Sequence, residues 1–259
     1  YGVMDTTGVI RKSSNVGASL IAKRLGDAQF DAFLRRFGYG HVTGSGFPGE
    51  AAGLFPNYTR WSGTSKQTIS YGYGLNATPL QIAVAYAALG NGGVLNPPTF
   101  VKGQHGTARQ VLDPVIANQV LHMMQTVTEP GGTATQAATL GYHVAGKTGT
   151  SRKASAGGYS RRYIGYFAGL VPVDNPRFAM VVAVNDPTKG SYYGGIVSGP
   201  VFRNVMEGAL RLMDVSPDNL DAWLAAQATA EAKRAKASGH AVPVQAVADA
   251  GVPTARAVQ

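Results

Sequence analysis

The stretch GYHVAGKTGTSRK, residues 141–153, decides between two folds for this chain of 259 residues. Its first eight residues, from Gly141 to Thr148, satisfy the phosphate-loop pattern G-x-x-x-x-G-K-[ST]. A phosphate loop must lead into a helix, because the helix N-terminus helps to hold the anion. Gly149 and a run without helical periodicity follow instead. These residues therefore predict a strand rather than a nucleotide-binding loop.

The residues around this stretch favour an antiparallel sheet. Residues 142–149, 161–171 and 178–184 are rich in Val, Tyr and Phe, as strands are. Residues 172–176 alone separate the last two, whereas a parallel crossover needs about 12 residues or more. The segment between Gly149 and Ser160 has no apolar periodicity, so we predict a hairpin loop there.

Helices are predicted before and after these strands along the chain. N-cap residues followed by apolar residues at helical spacing mark their starts, most clearly at Thr78-Pro79 and Asp113-Pro114. One residue of Ser13-Ser14-Asn15 is expected to cap the first of them. The predicted helices cover residues 16–26, 28–37, 80–89, 115–127, 200–213 and 218–237. Residues 240–259 are predicted to be a mobile tail, and residues 41–63 a loop.

Composition excludes several classes of function. The chain has no cysteine, which rules out disulfides, thiolate catalysis and cysteine-ligated zinc. We predict no cofactor and no metal. The formal net charge is +9, and no acidic residue lies between Glu129 and Asp174. That basic region is either a solvated surface or a cleft that attracts an anionic substrate. No nucleic-acid-binding signature accompanies it, so no nucleic-acid partner is predicted.

Lys147-Thr148-Gly149 is also one of three elements of penicillin-recognising serine acyl-transferases, S-x-x-K, S-D-N and K-T-G. On an edge strand, Gly149 would let a substrate peptide lie against the backbone. Hydroxyls of Thr148 and Thr150 can hold a carboxylate, and Lys147 adds positive potential.

Ser13-x-Asn15 supplies a second element of this kind. A hydroxyl and an amide suit proton relay and peptide hydrogen bonding. By itself the pair is more often a helix cap, whereas both elements in this order favour the acyl-transferase interpretation. The third element, S-x-x-K, is absent from the sequence; Thr150-Ser151-Arg152-Lys153 has the spacing but overlaps the other motif.

Residues 1–213 closely resemble the class B penicillin-binding proteins, of the septal cell-division peptidoglycan D,D-transpeptidase type. The segments that carry the resemblance include KSSNVGAS, GFPGEAAGLFPNYTRWS, TEPGGTATQAA, GYHVAGKTGTSRK and NDPTKGSYYGGIVSGPVF. The resemblance implies an α+β fold of the penicillin-binding protein and serine β-lactamase type. An antiparallel sheet is expected between helices, beside an all-helical lobe. Residues 1–213 are expected to form this domain, and residues 214–259 an Ala-rich helix and tail.

The resemblance also implies catalytic and binding roles. Ser13 is expected to relay a proton to the leaving group, and Asn15 to bind the stem-peptide amide. Lys147 is expected to tune the site electrostatically. Thr148 and Thr150 would bind the terminal carboxylate.

Further residues of the predicted site surround these groups. Arg152 would help to bind the carboxylate, unless it is merely an exposed charge. Gly149 would let the substrate strand lie close to the backbone of the chain. Tyr163, Tyr192 and Tyr193 would form an aromatic wall that moulds to inhibitors, or else pack within the sheet. The backbone N–H of Thr150 is expected to form half of an oxyanion hole.

The missing S-x-x-K leads us to expect the nucleophilic serine upstream of Tyr1, together with a membrane anchor. The expected partners are peptidoglycan stem peptides, β-lactams, that upstream part, and division proteins including a glycosyltransferase. The expected location is the periplasmic face of the inner membrane. Two alternatives remain, a non-catalytic scaffold or sensor and a serine β-lactamase. Glu50, Glu129 and Glu207 lie in no sequence context typical of a β-lactamase deacylating base.

Overall fold

A computed structural model describes residues 2–155 and 158–237 of the chain. The predicted tail over residues 240–259 lies outside the described residues. No helix among those described combines the length and apolarity that a membrane crossing needs.

Runs of helices and a run of antiparallel strands agree with the predicted α+β class. The helices are α1 (Thr6–Arg11), α2 (Asn15–Lys23), α3 (Asp27–Arg36), α4 (Ser65–Ile69), α5 (Pro79–Gly90), α6 (Pro114–Gln125), α7 (Gly194–Val197), α8 (Gly199–Leu212) and α9 (Leu220–Ala237). The strands are β1 (Val94–Leu95), β2 (Arg109–Gln110), β3 (Ala145–Ser155), β4 (Gly158–Val171) and β5 (Phe178–Asn185).

The larger sheet is antiparallel, in the order β3-β4-β5. Lys147 lies opposite Ala168 on β4, and Ile164 lies opposite Asn185 on β5. The predicted loop between Gly149 and Ser160 is wrong, because β3 continues to Ser155 and pairs with β4 almost to the turn. The outer part of this hairpin is largely solvated on both faces, so its strands carry no apolar alternation that sequence could reveal.

Helices cover both faces of this sheet, as expected. Phe167 and Val171 of β4 are fully buried against Phe202 and Leu210 of α8 on one face. The rings of Phe167 and Phe202 meet edge to face, with centroids 4.9 Å apart. Leu170 points the other way and packs against α5 and α6. The period of two along β4 therefore assigns one face to each helix layer.

A second apolar cluster lies between α3 and α5 and forms the core of the helical lobe. It also includes Leu95 and Val111, beside the short antiparallel pair β1–β2. The start of α5 is fixed by a capping box. The Thr78 side chain accepts from the Gln81 backbone, and the Gln81 side chain accepts from the Thr78 backbone.

Contacts cross the predicted domain boundary between residues 213 and 214. The Asp218 carboxylate accepts hydrogen bonds from the backbone N–H groups of His143, at 2.7 Å, and Val173, at 3.0 Å. An added Cβ on Gly141 would lie 2.7 Å from Trp223, so α9 begins in close contact with the residues that lead into β3. We therefore propose that the folded unit extends into the first turns of α9.

Candidate active site

Ser13 stands at the end of α1 in a conformation that favours glycine. Its φ is +54°, in the left-handed region. Ser13 N–H donates to Ile10 O at 3.1 Å, and Ser14 N–H donates to Val9 O at 3.0 Å. This pair of bonds is a Schellman motif, in which the position of Ser13 is usually glycine. A serine at this position is a strained choice, and such strain is often found at functional sites.

The next two residues begin α2. The Ser14 hydroxyl accepts from Gly17 N–H at 3.1 Å, which makes Ser14 the cap that the sequence predicted within this triplet. Asn15 is the first residue of α2, and its side chain is exposed. The turn between α1 and α2 thus places Ser13 and Asn15 two residues apart on the surface of the domain. The described residues give the Asn15 amide no hydrogen bond to the rest of the predicted site.

Lys147 joins the two motifs. Its Nζ donates a hydrogen bond to Ser13 Oγ at 2.7 Å, across 134 positions of the chain. A second bond runs from Nζ to the backbone carbonyl of Thr148, at 3.0 Å. β3 is an edge strand of the described sheet, so its middle part faces the turn between α1 and α2. The structure thus brings together Lys147 and Ser13, to which the resemblance assigned roles in one site.

Burial changes the acidity of this lysine. Removal of the side chain from water disfavours the ammonium form and lowers the pKa of Lys147 to about 8. At neutral pH the ammonium still predominates and donates to Ser13. Because a hydroxyl both accepts and donates, the Ser13 O–H remains free to give its own proton to a third group.

The two threonines of the motif each have a partner outside β3, at the start of α7 for Thr150 and on the loop after α6 for Thr148. Gly194 N–H donates to Thr150 Oγ1 at 3.1 Å. The Thr148 hydroxyl lies 2.9 Å from the Thr133 hydroxyl. Thr148 and Thr150 are two positions apart on β3 and therefore project to the same side of the strand. Two hydroxyls on one side, near Lys147, can hold an anionic group.

The packing of the fold does not require a glycine at position 149. A Cβ added there would meet nothing closer than Tyr166 at 3.4 Å, an ordinary contact. Gly146, three residues earlier, differs, because its added Cβ would lie 2.4 Å from the Phe167 ring. A glycine on an exposed strand that packing does not require often marks the close approach of a ligand or another backbone.

Aromatic and basic side chains form the outer part of the site. The rings of Tyr163 and Tyr192 stack at 4.1 Å, and the rings of Tyr192 and Tyr193 lie 4.7 Å apart. The Arg152 guanidinium sits 5.9 Å from the Tyr163 ring centre. Tyr193 is 57% exposed, so this cluster is not a buried core. The structure therefore brings Arg152 and the three predicted tyrosines together.

Sequence reasoning missed the loop that carries Thr133. Arg11 and Lys12, beside Ser13, donate to the carbonyls of Pro130 and Gly131 respectively, the second bond at 2.8 Å. The segment TEPGGTAT was noted for its resemblance, but no role followed from it. The sequence signal that could have identified this loop is a glycine pair followed by a threonine.

The phosphate-loop alternative is excluded by this geometry. Lys147 and Thr148 lie within a strand that continues to Ser155, so they do not lead directly into a helix. The neighbouring strands are antiparallel, unlike those of a nucleotide-binding sheet.

Comparison with known proteins shows the family to which the chain belongs. The sequence matches the family described as penicillin binding protein transpeptidase domain over residues 1–207. It is 44% identical over 222 residues to peptidoglycan D,D-transpeptidase FtsI of Escherichia coli (strain K12), which covers 85% of this chain and 38% of that protein. The same-named protein of Buchnera aphidicola subsp. Schizaphis graminum is 40% identical over 219 residues, covering 84% of this chain and 39% of that one. The chain thus spans about two fifths of these relatives.

Solved structures give the same result for the fold. The apo transpeptidase domain of Burkholderia pseudomallei penicillin-binding protein 3 superposes with a TM-score of 0.79 at 38% identity, covering 84% of this chain and 67% of that one. Penicillin-binding protein 3 of Mycobacterium tuberculosis, solved with aztreonam, gives a TM-score of 0.78 at 32% identity, covering 84% and 54%. The chain belongs to the penicillin-binding protein transpeptidase domain family and has its α+β fold.

Proposed function

We propose that this chain is the larger part of the active site of a peptidoglycan D,D-transpeptidase, which crosslinks stem peptides ending in D-Ala-D-Ala during septal wall synthesis. The observation that carries the proposal is the 2.7 Å hydrogen bond from Lys147 to Ser13. It joins two motifs that have no local reason to meet. The anion-binding hydroxyls of Thr148 and Thr150 lie directly beside it on β3.

The first step is acylation. The S-x-x-K serine attacks the carbonyl carbon of the penultimate D-Ala, and its proton passes to the lysine of that motif. The carbon–nitrogen bond breaks, and the nitrogen of the terminal D-Ala takes a proton relayed by Ser13. Lys147 favours this relay because its ammonium donates to Ser13 Oγ and leaves the Ser13 proton to be given away.

The second step is transfer. An amine of a neighbouring stem peptide attacks the acyl carbon, the carbon–oxygen bond breaks, and the serine regains a proton. One amide replaces another, so the reaction needs no cofactor or external energy source. During both steps the backbone N–H of Thr150 is proposed to stabilise the oxyanion, while Asn15 holds the stem-peptide amide.

Substrate binding in this proposal uses the rest of the site. The open backbone at Gly149 accepts the substrate as an added strand. The terminal carboxylate binds to Thr148 and Thr150 with help from Arg152. Tyr163, Tyr192 and Tyr193 line the side of the cleft that receives larger groups of the substrate or of a β-lactam.

The nucleophilic serine is proposed to come from a segment outside these 259 residues, because no S-x-x-K occurs in them. The greater length of the relatives agrees with this. Action at the periplasmic face of the inner membrane, beside a glycosyltransferase and other division proteins, is part of the same proposal.

The serine β-lactamase alternative is less well supported. The Glu50 carboxylate is already used by Thr43 N–H, at 2.7 Å, and the Ser45 hydroxyl, at 2.8 Å. In residues 2–155 and 158–237, no carboxylate hydrogen-bonds to Ser13 or Lys147. A non-catalytic scaffold or sensor would keep the anion site without turning over a pentapeptide.

The deciding experiment uses a fluorescent penicillin on residues 1–259 alone and on the full-length protein. We expect an adduct only on the full-length protein, mapping outside residues 1–259. An adduct on the short chain would refute the location of the nucleophile. A full-length protein that is acylated but never crosslinks pentapeptides would favour the scaffold or sensor.

A further inference from the structure

The polarity of the hydroxyls on β3 decides whether they can bind an anion. A hydroxyl stabilises a carboxylate only when its own hydrogen is free to be donated. At Thr150 this condition is met, because Oγ1 already accepts from Gly194 N–H at 3.1 Å. The Thr150 oxygen already accepts one hydrogen bond, and the hydroxyl hydrogen remains available to donate to an anion. Thr148 needs an equivalent donor.

Thr133 is placed to be that donor. Its hydroxyl lies 2.9 Å from Thr148 Oγ1, and either oxygen could supply the hydrogen. When Thr133 donates, the Thr148 hydrogen is released towards the cleft. When Thr148 donates, no hydrogen remains for an anion. An anion on Thr148 therefore favours one direction of this bond.

Two independent contacts hold the loop that carries Thr133. An added Cβ on Gly195, at the start of α7, would lie 2.0 Å from the Thr133 carbonyl, so the backbones are in close contact. An added Cβ on Gly132 would lie 2.2 Å from the Val127 carbonyl. The loop is therefore pressed between the end of α6 and the start of α7, and small movements of Thr133 would meet backbone atoms.

The same loop is tied to the catalytic turn. Lys12 Nζ donates to the Gly131 carbonyl at 2.8 Å, and Arg11 donates to the Pro130 carbonyl. Both residues directly precede Ser13. The loop thus contacts the turn that presents Ser13 on one side and the strand that presents Thr148 on the other.

We infer that Thr133 is a positioning residue that orients the Thr148 hydroxyl to donate to the substrate carboxylate, within a loop that Arg11 and Lys12 hold against the catalytic turn. The inference rests on the proposed function only in taking the ligand to be a peptide carboxylate. Thr133 is exposed, so water can replace its bond in the free protein. Its effect is expected on anion binding and not on folding stability.

The test uses the full-length protein with Thr133→Val, Thr133→Ser, Thr148→Val and the double variant Thr133→Val with Thr148→Val. Benzylpenicillin and its methyl ester are the acylation probes, since the ester lacks the anion. Thr133→Val should lower the rate for the acid about three- to tenfold and leave the rate for the ester unchanged. Thr133→Ser should restore the rate. Thr135→Val, an exposed threonine nearby, is the matched control and should have no effect.

The double variant decides whether Thr133 acts through Thr148. The inference requires the double variant to equal Thr148→Val alone, because the Thr133 effect vanishes without its acceptor. Additive losses, or equal losses for acid and ester, would overturn it. Binding of N-acetyl-D-alanyl-D-alanine, followed by NMR, repeats the comparison without acylation. A wild-type protein that binds the peptide but is never acylated would refute the proposed function. The peptide-binding comparison would still test whether Thr133 orients the Thr148 hydroxyl.

Discussion

The start and the middle of β3 have opposite surroundings. At its start, Ala145 is fully buried, and a carbon added to Gly146 would clash with the Phe167 ring and the carbonyl of Ala168. In its middle, from Lys147 to Thr150, the strand meets a turn and two loops, and Gly149 has room to spare. One continuous strand is thus a core element for two residues and a binding edge for the next four. Rigid packing at the start of the strand therefore fixes the position of the reactive groups in its middle.

The largest effect on acylation is expected at the open part of the strand. Lys147→Met removes the ammonium that donates to Ser13 while keeping much of the side-chain volume. Acylation of the full-length protein by benzylpenicillin should fall about 100- to 1,000-fold, with little change in melting temperature. Lys153→Met, further along the same strand, is the matched control. An equal loss in both variants would contradict a specific role for Lys147.

Gly146 and Gly149 give the sharpest contrast between the start of the strand and its middle. Gly149→Ala should fold normally and lower acylation about 100-fold, because the methyl group occupies the path of the substrate. Gly146→Ala should destabilise the protein by about 3 kcal/mol or more, since its Cβ would lie 2.4 Å from Phe167. Thermal unfolding and acylation rates separate the two outcomes. A destabilised Gly149→Ala would show that packing, and not the ligand, requires that glycine.

Ser13 allows strain and chemistry to be separated. Ser13→Gly relieves the left-handed backbone at φ +54° and should raise stability by about 1 kcal/mol. Ser13→Ala keeps the strain and should not. Both should lower acylation about 100-fold through loss of the hydroxyl. The prediction fails if Ser13→Gly melts no higher than Ser13→Ala.

The pH dependence tests the ammonium form of Lys147. Because the pKa of Lys147 is lowered to about 8, acylation should fall about tenfold per pH unit above that value. Stability should change in the opposite direction. Between the folded pKa near 8 and the unfolded value of about 10.4, the unfolded chain binds more protons, so the Lys147 contribution makes folding more favourable as pH rises.

Lys147→Arg is the control for this titration. A guanidinium stays protonated throughout the range, so the high-pH fall in acylation should disappear even if the overall rate is lower. A fall near pH 8 that persists in Lys147→Arg would assign it to another group.

The smallest effect on acylation is expected at the closed end. Asp218 accepts from the backbone of His143, two residues before β3, and from Val173. Asp218→Ala should cost about 1–3 kcal/mol of stability by leaving these N–H groups without partners. Acylation at low temperature should be unchanged. Asp221→Ala, exposed on α9, is the matched control. A loss of acylation in Asp218→Ala but not in Asp221→Ala would contradict the prediction and show that packing near the start of β3 affects the reaction.

Local signals predicted much of the fold. Thr78-Pro79 and Asp113-Pro114 start α5 and α6, and Asp113 caps the Val115 and Ile116 N–H groups. Helix α1 was missed although Asp5 accepts from Gly8 N–H at 2.7 Å, because six residues are too few for periodicity to be seen. The outer hairpin of β3 and β4 was missed because cross-strand pairing holds it and its faces are mostly solvated.

The sequence by itself determined the starts of α5 and α6, the strand that carries Lys147-Thr148-Gly149-Thr150 and the residue types of the site. These depend on interactions within a few positions, or on a motif that can be compared directly. Only the tertiary structure decided that Lys147 reaches Ser13, that Gly146 is closed while Gly149 is open, and that Thr133 lies beside Thr148. Those contacts join residues 15 to 134 positions apart, and their geometry depends on strand register and backbone packing. No local pattern encodes the distance between two such segments.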